Sequence, residues 1–354
     1  MPPVVSLEPL RDAVFALAGA IVLLTLALQV ERAVSSFQAR RAGRKETLLT
    51  KLVYRVIQGE PCLAEVAALS RFERRMSRAI LLRLAPDLRG ESGEGIAELY
   101  RRLGWLQADL KRLRSWRAMT RANAAADLGL VRAGEALPAL TKALDDADVR
   151  VRQTAVWALG HAGGSDSLAA LVRLLGDSSV SVARRAQEVL AERGQEVKDA
   201  IITYVGKSAN RSGRLAGIEL LGWLRIPGGA DLLLDFMGDL DPEVRVKSVK
   251  AAAAIGDPRF MEVFHRLLED PRWEVRCQAA KGLTVFGSPD SAPFLEKSLR
   301  DQHWWVRFYA ATALSEAGPP GEEILHQALR DPEPPVRNMA RYLLERGSAV
   351  PVLP

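Results

Sequence analysis

DDADVRVRQTAVWALGHAG (145–163), GDLDPEVRVKSVKAAAAIG (238–256), EDPRWEVRCQAAKGLTVFG (269–287) and RDQHWWVRFYAATALSEAG (300–318) are four versions of one phrase. Their arginines fall on a 31-residue grid of Arg152, Arg214, Arg245, Arg276 and Arg307. Arg121 begins the grid, Ala183 occupies its one missing point, and Arg337 ends it after a step of 30. A second series, Asp146, Asp177, Asp239, Asp270, Asp301 and Asp331, runs six residues ahead of the arginines, with Ser115 and Ser208 in the two remaining places. A third series is apolar, each pair one helical turn apart: Leu140/Leu144, Leu171/Leu175, Leu233/Met237, Phe264/Leu268, Leu295/Leu299 and Leu325/Leu329. Only Ile202/Gly206 weakens it.

Each period holds two apolar stripes of helical spacing and no strand-like alternation, so one repeat is one helix–turn–helix unit. Such a unit cannot bury its own oily face and must lean on its neighbours. The expected fold is therefore all-α: an α-solenoid of about eight 31-residue helix pairs over residues 95–347, followed by a short tail at 348–354.

A Leu-rich first helix, then Asp, often Pro, then Val-Arg-x-x-Ala-x-x-Ala-Leu resembles HEAT repeats, specifically the short type also seen in phycobilisome lyase-like proteins. The resemblance implies that Asp146, Arg152, Asp239, Arg245, Asp270, Arg276, Asp301, Arg307, Asp331 and Arg337 form a structural ladder between adjacent repeats. Recurrence down the chain suits a ladder better than one active site. The ladder lapses at Ala183 and Ser208, in neighbouring units, which predicts the softest point of the array near 177–214.

The resemblance also places the second helix of each unit on the concave, partner-binding side. Five residues after each grid point that helix carries Trp157, Glu188, Glu219, Lys250, Lys281, Thr312 and Tyr342, too polar a series to be core. Aromatics gather near the end of the array, with Trp273 and Trp304 at equivalent positions and Trp305, Phe308 and Tyr309 beside the latter. Trp and Tyr dominate interface hot spots. Lys247, Lys250 and Lys281 nearby suit an acidic or phosphorylated partner.

Ahead of the array, residues 13–30 read AVFALAGAIVLLTLALQV, long enough as a helix to cross a hydrocarbon core of about 30 Å. Arg32, Arg40, Arg41, Arg44, Lys45, Lys51 and Arg55 follow it, and positive-inside logic puts the N-terminus out. The expected plan is a short extracytoplasmic tail at 1–9, a transmembrane helix at 10–31, a basic juxtamembrane stretch at 32–59 and a helical adapter at 60–94. That plan places the protein in a bacterial-type inner membrane as a single-pass chain with its array in the cytoplasm.

Residues 1–126 carry a net charge of +9 and the remainder −3, which weighs against nucleic acid as the ligand of the array. Cys62 and Cys277 are far apart and encode no disulfide framework. His161, His265, His303 and His326 are scattered, with no metal-ligand spacing, and no phosphate loop or nucleophile elbow occurs. No cofactor, metal or small-molecule substrate is expected. The functional expectation is a non-enzymatic scaffold or adaptor that binds a protein partner, cytoplasmic or membrane-associated. The alternatives are a bilin-lyase-like protein acting on a chromophore-protein substrate and a nucleic-acid-binding array.

Overall fold

The computed structural model describes residues 29, 31, 32, 43, 45–58, 60, 65, 66, 68–88 and 90–346. Helices, turns and short connections account for all of them, and no strand occurs among the described residues. The chain divides into two compact units, Met1–Gln107 and Ala108–Pro354.

In the first unit, a helical stretch at 45–57 buries Leu49, Val53 and Ile57, which share one face at four-residue spacing. Helix α1 (Arg71–Leu84) starts on a capping box in which the Ser70 hydroxyl accepts from the Glu73 amide while the Glu73 carboxylate accepts from the Ser70 amide. Two ion pairs, Lys45 to Glu73 and Arg83 to Glu46, tie α1 to the preceding helical stretch. Helix α2 (Glu91–Arg102) contributes Ile96, Leu99 and Tyr100 to the core. The run Arg71, Arg74, Arg75, Arg78 lies along α1, and Arg78 turns inward to donate to the buried Tyr100 hydroxyl at 2.8 and 3.0 Å.

After α3 (Trp105–Arg112), helix pairs repeat along the second unit. In chain order they are α4 (Ala118–Val131), α5 (Leu137–Ala143), α6 (Val149–Ala162), α7 (Ser165–Arg173), α8 (Val180–Glu192) and α9 (Lys198–Lys207). There follow α10 (Arg211–Trp223), α11 (Ala230–Phe236), α12 (Pro242–Ile255), α13 (Phe260–Leu267) and α14 (Trp273–Leu283). The last are α15 (Ala292–Ser298), α16 (Trp304–Glu316), α17 (Pro319–Ala328) and α18 (Pro334–Arg346). From α4 onward the even-numbered helices carry the grid positions, arginine in all but α8, and the odd-numbered ones the Leu-rich stripe. Leu140, Leu171, Leu233, Phe264, Leu295 and Leu325 of that stripe are buried, as are Val151, Val244, Val275 and Val306 of the arginine helices. Each such side chain contributes about 1.5–3 kcal/mol.

Consecutive even-numbered helices touch all the way from α4 to α18, and small residues eight places after the grid arginine let them approach. A Cβ on Gly129 would stand 2.6 Å from the Cα of Ala158, and one on Gly222 would stand 2.7 Å from the Cα of Ala251. Both are closer than non-bonded carbons tolerate.

Across most of these seams runs a repeated ionic rung. The Arg121 guanidinium donates through Nε and Nη2 to both oxygens of Asp146, each at 2.7 Å. Arg152 grips Asp177 at 2.9 and 2.8 Å, Arg245 grips Asp270 at 2.8 and 2.9 Å, and Arg276 grips Asp301 at 2.6 and 3.0 Å. In each case Nη1 donates backward to the carbonyl of residue 115, 146, 239 or 270, six positions earlier. The aspartate in turn accepts the backbone amide two residues on, closing the turn that launches the next helix. Arg214 keeps only a single 3.4 Å contact to Asp239 and leans over the Phe236 ring.

Where Ala183 and Ser208 interrupt the ladder, a different seam forms. The Asn210 amide donates to the Gly176 carbonyl at 3.1 Å, and its Oδ1 caps the Gly213 amide at 2.9 Å. A Cβ on Gly213 would sit 3.0 Å from the Gly176 Cα and 2.1 Å from the Tyr204 hydroxyl. Glycine laid on glycine thus replaces the rung, and α10 rests on the turn at 174–176 more than on α8.

One expectation is overturned. Among the described residues no helix is long and apolar enough to cross a membrane, which contradicts the expected single-pass placement in an inner membrane. The physical reason lies in helix length and patterning. The longest helices named above have 14 residues, about 21 Å, and bury one face while exposing the other. The apolar run 13–30 falls outside the described residues except at Gln29.

The rungs carry a pH signature. Hydrogen bonds from Arg121 hold the Asp146 carboxyl below its ordinary value. For Asp177 and Asp301, burial pushes upward, but Arg152, Arg276 and the backbone amides outweigh it and leave both lowered. A carboxylate with a depressed folded-state value contributes stability that is complete above the unfolded value, about 3.9, and is lost as pH falls through the folded one. Denaturant titrations from pH 7 downward should therefore give level stability to about pH 5 and a steady decline below about pH 4. Stability that rises on acidification would contradict the rungs.

Candidate docking surface on the second helices

Helix α16 begins WWVRFYAA (304–311), so apolar side chains surround its first two turns and its sequence alone does not say which face is buried. The structure separates them. Val306, Phe308, Ala310 and Ala311 are buried, whereas Trp304, Trp305 and Tyr309 are half-buried. Phe308 belongs to the core and is not available to a partner, a correction to its place among the candidate contact residues. It serves as the floor on which the others rest. Trp304 stacks on it at 5.1 Å between ring centroids, Tyr309 meets it edge-on at 5.2 Å and Tyr342 of α18 at 6.2 Å. Trp305 packs edge-on against Trp304 at 4.8 Å. The Lys281 ammonium, reaching from α14, stands 5.2 Å from the centre of the Tyr309 ring.

The other candidate residues lie apart from this cluster. Lys247 is committed to Glu219 at 3.1 Å, while Lys250 is exposed. Trp157 is half-buried on α6 with the His161 ring 4.4 Å away. Trp273 stacks on His303 at 4.8 Å beside a polar cleft that includes Arg272 and Arg300. Several exposed apolar side chains escaped the sequence reading, among them Trp116, Trp223 and Leu240. Trp223 sits nine places after Arg214, as Val285 does after Arg276, and that shared offset is the signal that could have found them.

At the seam between α16 and α18 the ladder ends differently. Arg307 donates through Nη1 to the carbonyls of Asp301 and Gln302 at 2.7 and 3.0 Å, as its counterparts do to theirs. Its Nε is shut off from solvent and has no acceptor. Asp331 follows Arg307 by 24 positions, where the complete rungs span 25, and the Nε of Arg214, whose Asp239 lies at the full 25, is left without an acceptor as well. Asp331 is instead taken by Arg300 and by the Glu333 amide. A buried donor left in this state costs about 1–3 kcal/mol. Beside it opens a groove of 430 Å³ lined by Trp304, Arg307, Pro334, Pro335, Asn338 and Tyr342.

Among the described residues no group of three or more His, Cys, Asp or Glu side chains could hold a metal ion. Burial pushes the Cys277 thiol up to about 11, so it is no ready nucleophile, and Cys62 lies outside the described residues. Burial pushes the His265 imidazole below its ordinary value, and its ring lies at hydrogen-bond distance, 2.9 Å, from the Ser291 hydroxyl.

Stacked helix pairs, an arginine–aspartate ladder and an aromatic strip on the second helices define the class: an α-solenoid of tandem helical repeats. The model of the family described as HEAT repeats matches residues 107–191 and 261–345. No curated protein matches the chain. Among solved structures, an engineered protein is 20% identical over 86% of this chain and 95% of its own, with a TM-score of 0.40. The complex of CpcE and CpcF of phycocyanin lyase from a Nostoc species is 19% identical over 62% of this chain and 92% of that one, with a TM-score of 0.30. Importin beta is 14% identical over 78% of this chain and 45% of that one, with a TM-score of 0.49.

The split between floor and strip has a measurable consequence. Phe308→Ala should cost about 3–5 kcal/mol in chemical unfolding, whereas Trp305→Ala should cost about 1 kcal/mol. Equal costs would mean that the two rings share one environment.

Proposed function

We propose that this chain is a protein-interaction scaffold that receives a partner polypeptide on the second helices of its last repeats. The observation that carries this reading is the strip of Trp304, Trp305 and Tyr309 on α16 with Tyr342 on α18, half-buried over the Phe308 floor. Rigid amphipathic rings held in this way lose little freedom on binding and supply large contact area. Repeat arrays present such extended surfaces without any change in the fold, which is why HEAT repeats suit recruitment better than turnover. Lys281 over Tyr309 gives the strip a positive edge suited to a partner of opposite sign.

Affinity capture with quantitative cross-linking from the source cells, comparing the wild type with the double variant Trp305→Ala, Tyr309→Ala, tests the reading. The double variant should keep the wild-type thermal melt within a few degrees and recover the cross-linked partner at least tenfold less. Recovery at wild-type yield would reject the strip as the docking surface.

A further inference from the structure

We propose that the cleft beside Trp273, between the turn that precedes α14 and the turn that precedes α16, is a phosphate site. Arg272 and Arg300 there take a phosphoserine or phosphothreonine of the docked polypeptide. The inference rests on the scaffold reading and names the partner's chemistry at one point of it.

The cleft measures 590 Å³ and is lined by three arginines, Arg272, Arg276 and Arg300, against one aspartate, Asp301. Arg276 and Asp301 satisfy each other in a closed rung. Arg272 and Arg300 are open to solvent, with side chains 57% and 44% exposed where that of Arg276 is 17% exposed. Each is tied at one nitrogen only, Nη2 of Arg272 by Glu274 at 3.1 Å and Nη2 of Arg300 by Asp331. The Nε and Nη1 of both are therefore without an acceptor among the described residues. The repeat pattern also sets this seam apart. Arg272 stands four places before one grid arginine and Arg300 seven before the next. The preceding seam has Asp241 and Glu269 at those places, and no other seam has two arginines there.

The number of open donors selects the ligand. One guanidinium is enough for a carboxylate, as the rungs show. A phosphate monoester has three terminal oxygens and close to two negative charges, so it engages two arginines at once. The exposed pair of Arg272 with Glu274 is weak and yields to a ligand of higher charge. Trp273 and His303 stack at 4.8 Å with their planes 15° apart, and the exposed His303 ring offers a flat seat to a neighbour of the phosphorylated residue. His303 is followed directly by Trp304 and Trp305, so a polypeptide on the strip has the cleft beside it. A polynucleotide fits less well, because it needs many cations in line and the chain beyond residue 126 has a net charge of −3.

Fluorescence anisotropy on the full chain at about 150 mM salt tests this with labelled acetyl-Leu-Ala-phosphoserine-Leu-Ala-amide and its Ser and Asp counterparts. The phosphopeptide should bind at least tenfold tighter than either counterpart, and AMP should displace it no better than free phosphoserine does. Arg272→Gln should weaken the phosphopeptide at least tenfold with an unchanged melt. Gln302→Glu leaves both arginines in place and adds a carboxylate to the lining, so it should weaken binding to the same degree. Less than a tenfold preference over the Asp peptide, binding of none of the three, stronger displacement by AMP, or full binding by either variant would overturn the proposal. Any of these with partner capture still sensitive to Trp305→Ala, Tyr309→Ala would leave the scaffold reading standing. Insensitive capture with phosphopeptide binding as expected would strike the strip and spare the cleft.

Discussion

A guanidinium drawn in between helices must find acceptors for a planar set of donors, and that requirement links each repeat to the next. Arg121, Arg152, Arg245 and Arg276 satisfy it by reaching backward to their own turn and forward to the aspartate of the following unit. One side chain therefore fixes the turn inside a unit and the register between units. A slip of the stacking by one helical position would strand both the arginine and the aspartate, each costly to bury alone. Hydrophobic burial drives the stacking, and the rungs choose among the ways of stacking.

The exceptions follow from the same constraint. Where the arginine is absent, at Ala183, the chain substitutes close backbone contact, with Gly176 against Gly213 and Asn210 bridging the turn. Where the arginine is present but its aspartate is displaced, at Arg307, a donor is left over, and the surface there is lined with rings and prolines. One device thus gives a regular rung, a repaired gap and an open end.

Much of the fold was legible because period, residue type and helical spacing agree. The 31-residue grid marked the second helices, and the Leu pairs marked the first. Less legible was the partition of α16, whose Trp304, Trp305, Val306, Phe308 and Tyr309 are all apolar or aromatic and so offer no polar face to orient the helix. Tertiary contact with α18, which no local pattern encodes, puts Phe308 below and Trp305 above.

The account stands or falls on arginine–aspartate coupling between repeats, and a pair of double-mutant cycles by chemical unfolding measures it most directly. Alanine replacements at Arg245 and Asp270, singly and together, should reveal a coupling of about 2 kcal/mol, because each side chain exists to satisfy the other. The same cycle at Arg307 and Asp331 should give less than about 0.5 kcal/mol, because that rung is not made. Negligible coupling at Arg245 and Asp270, or equal coupling at both sites, would contradict the ladder and the open end built on it.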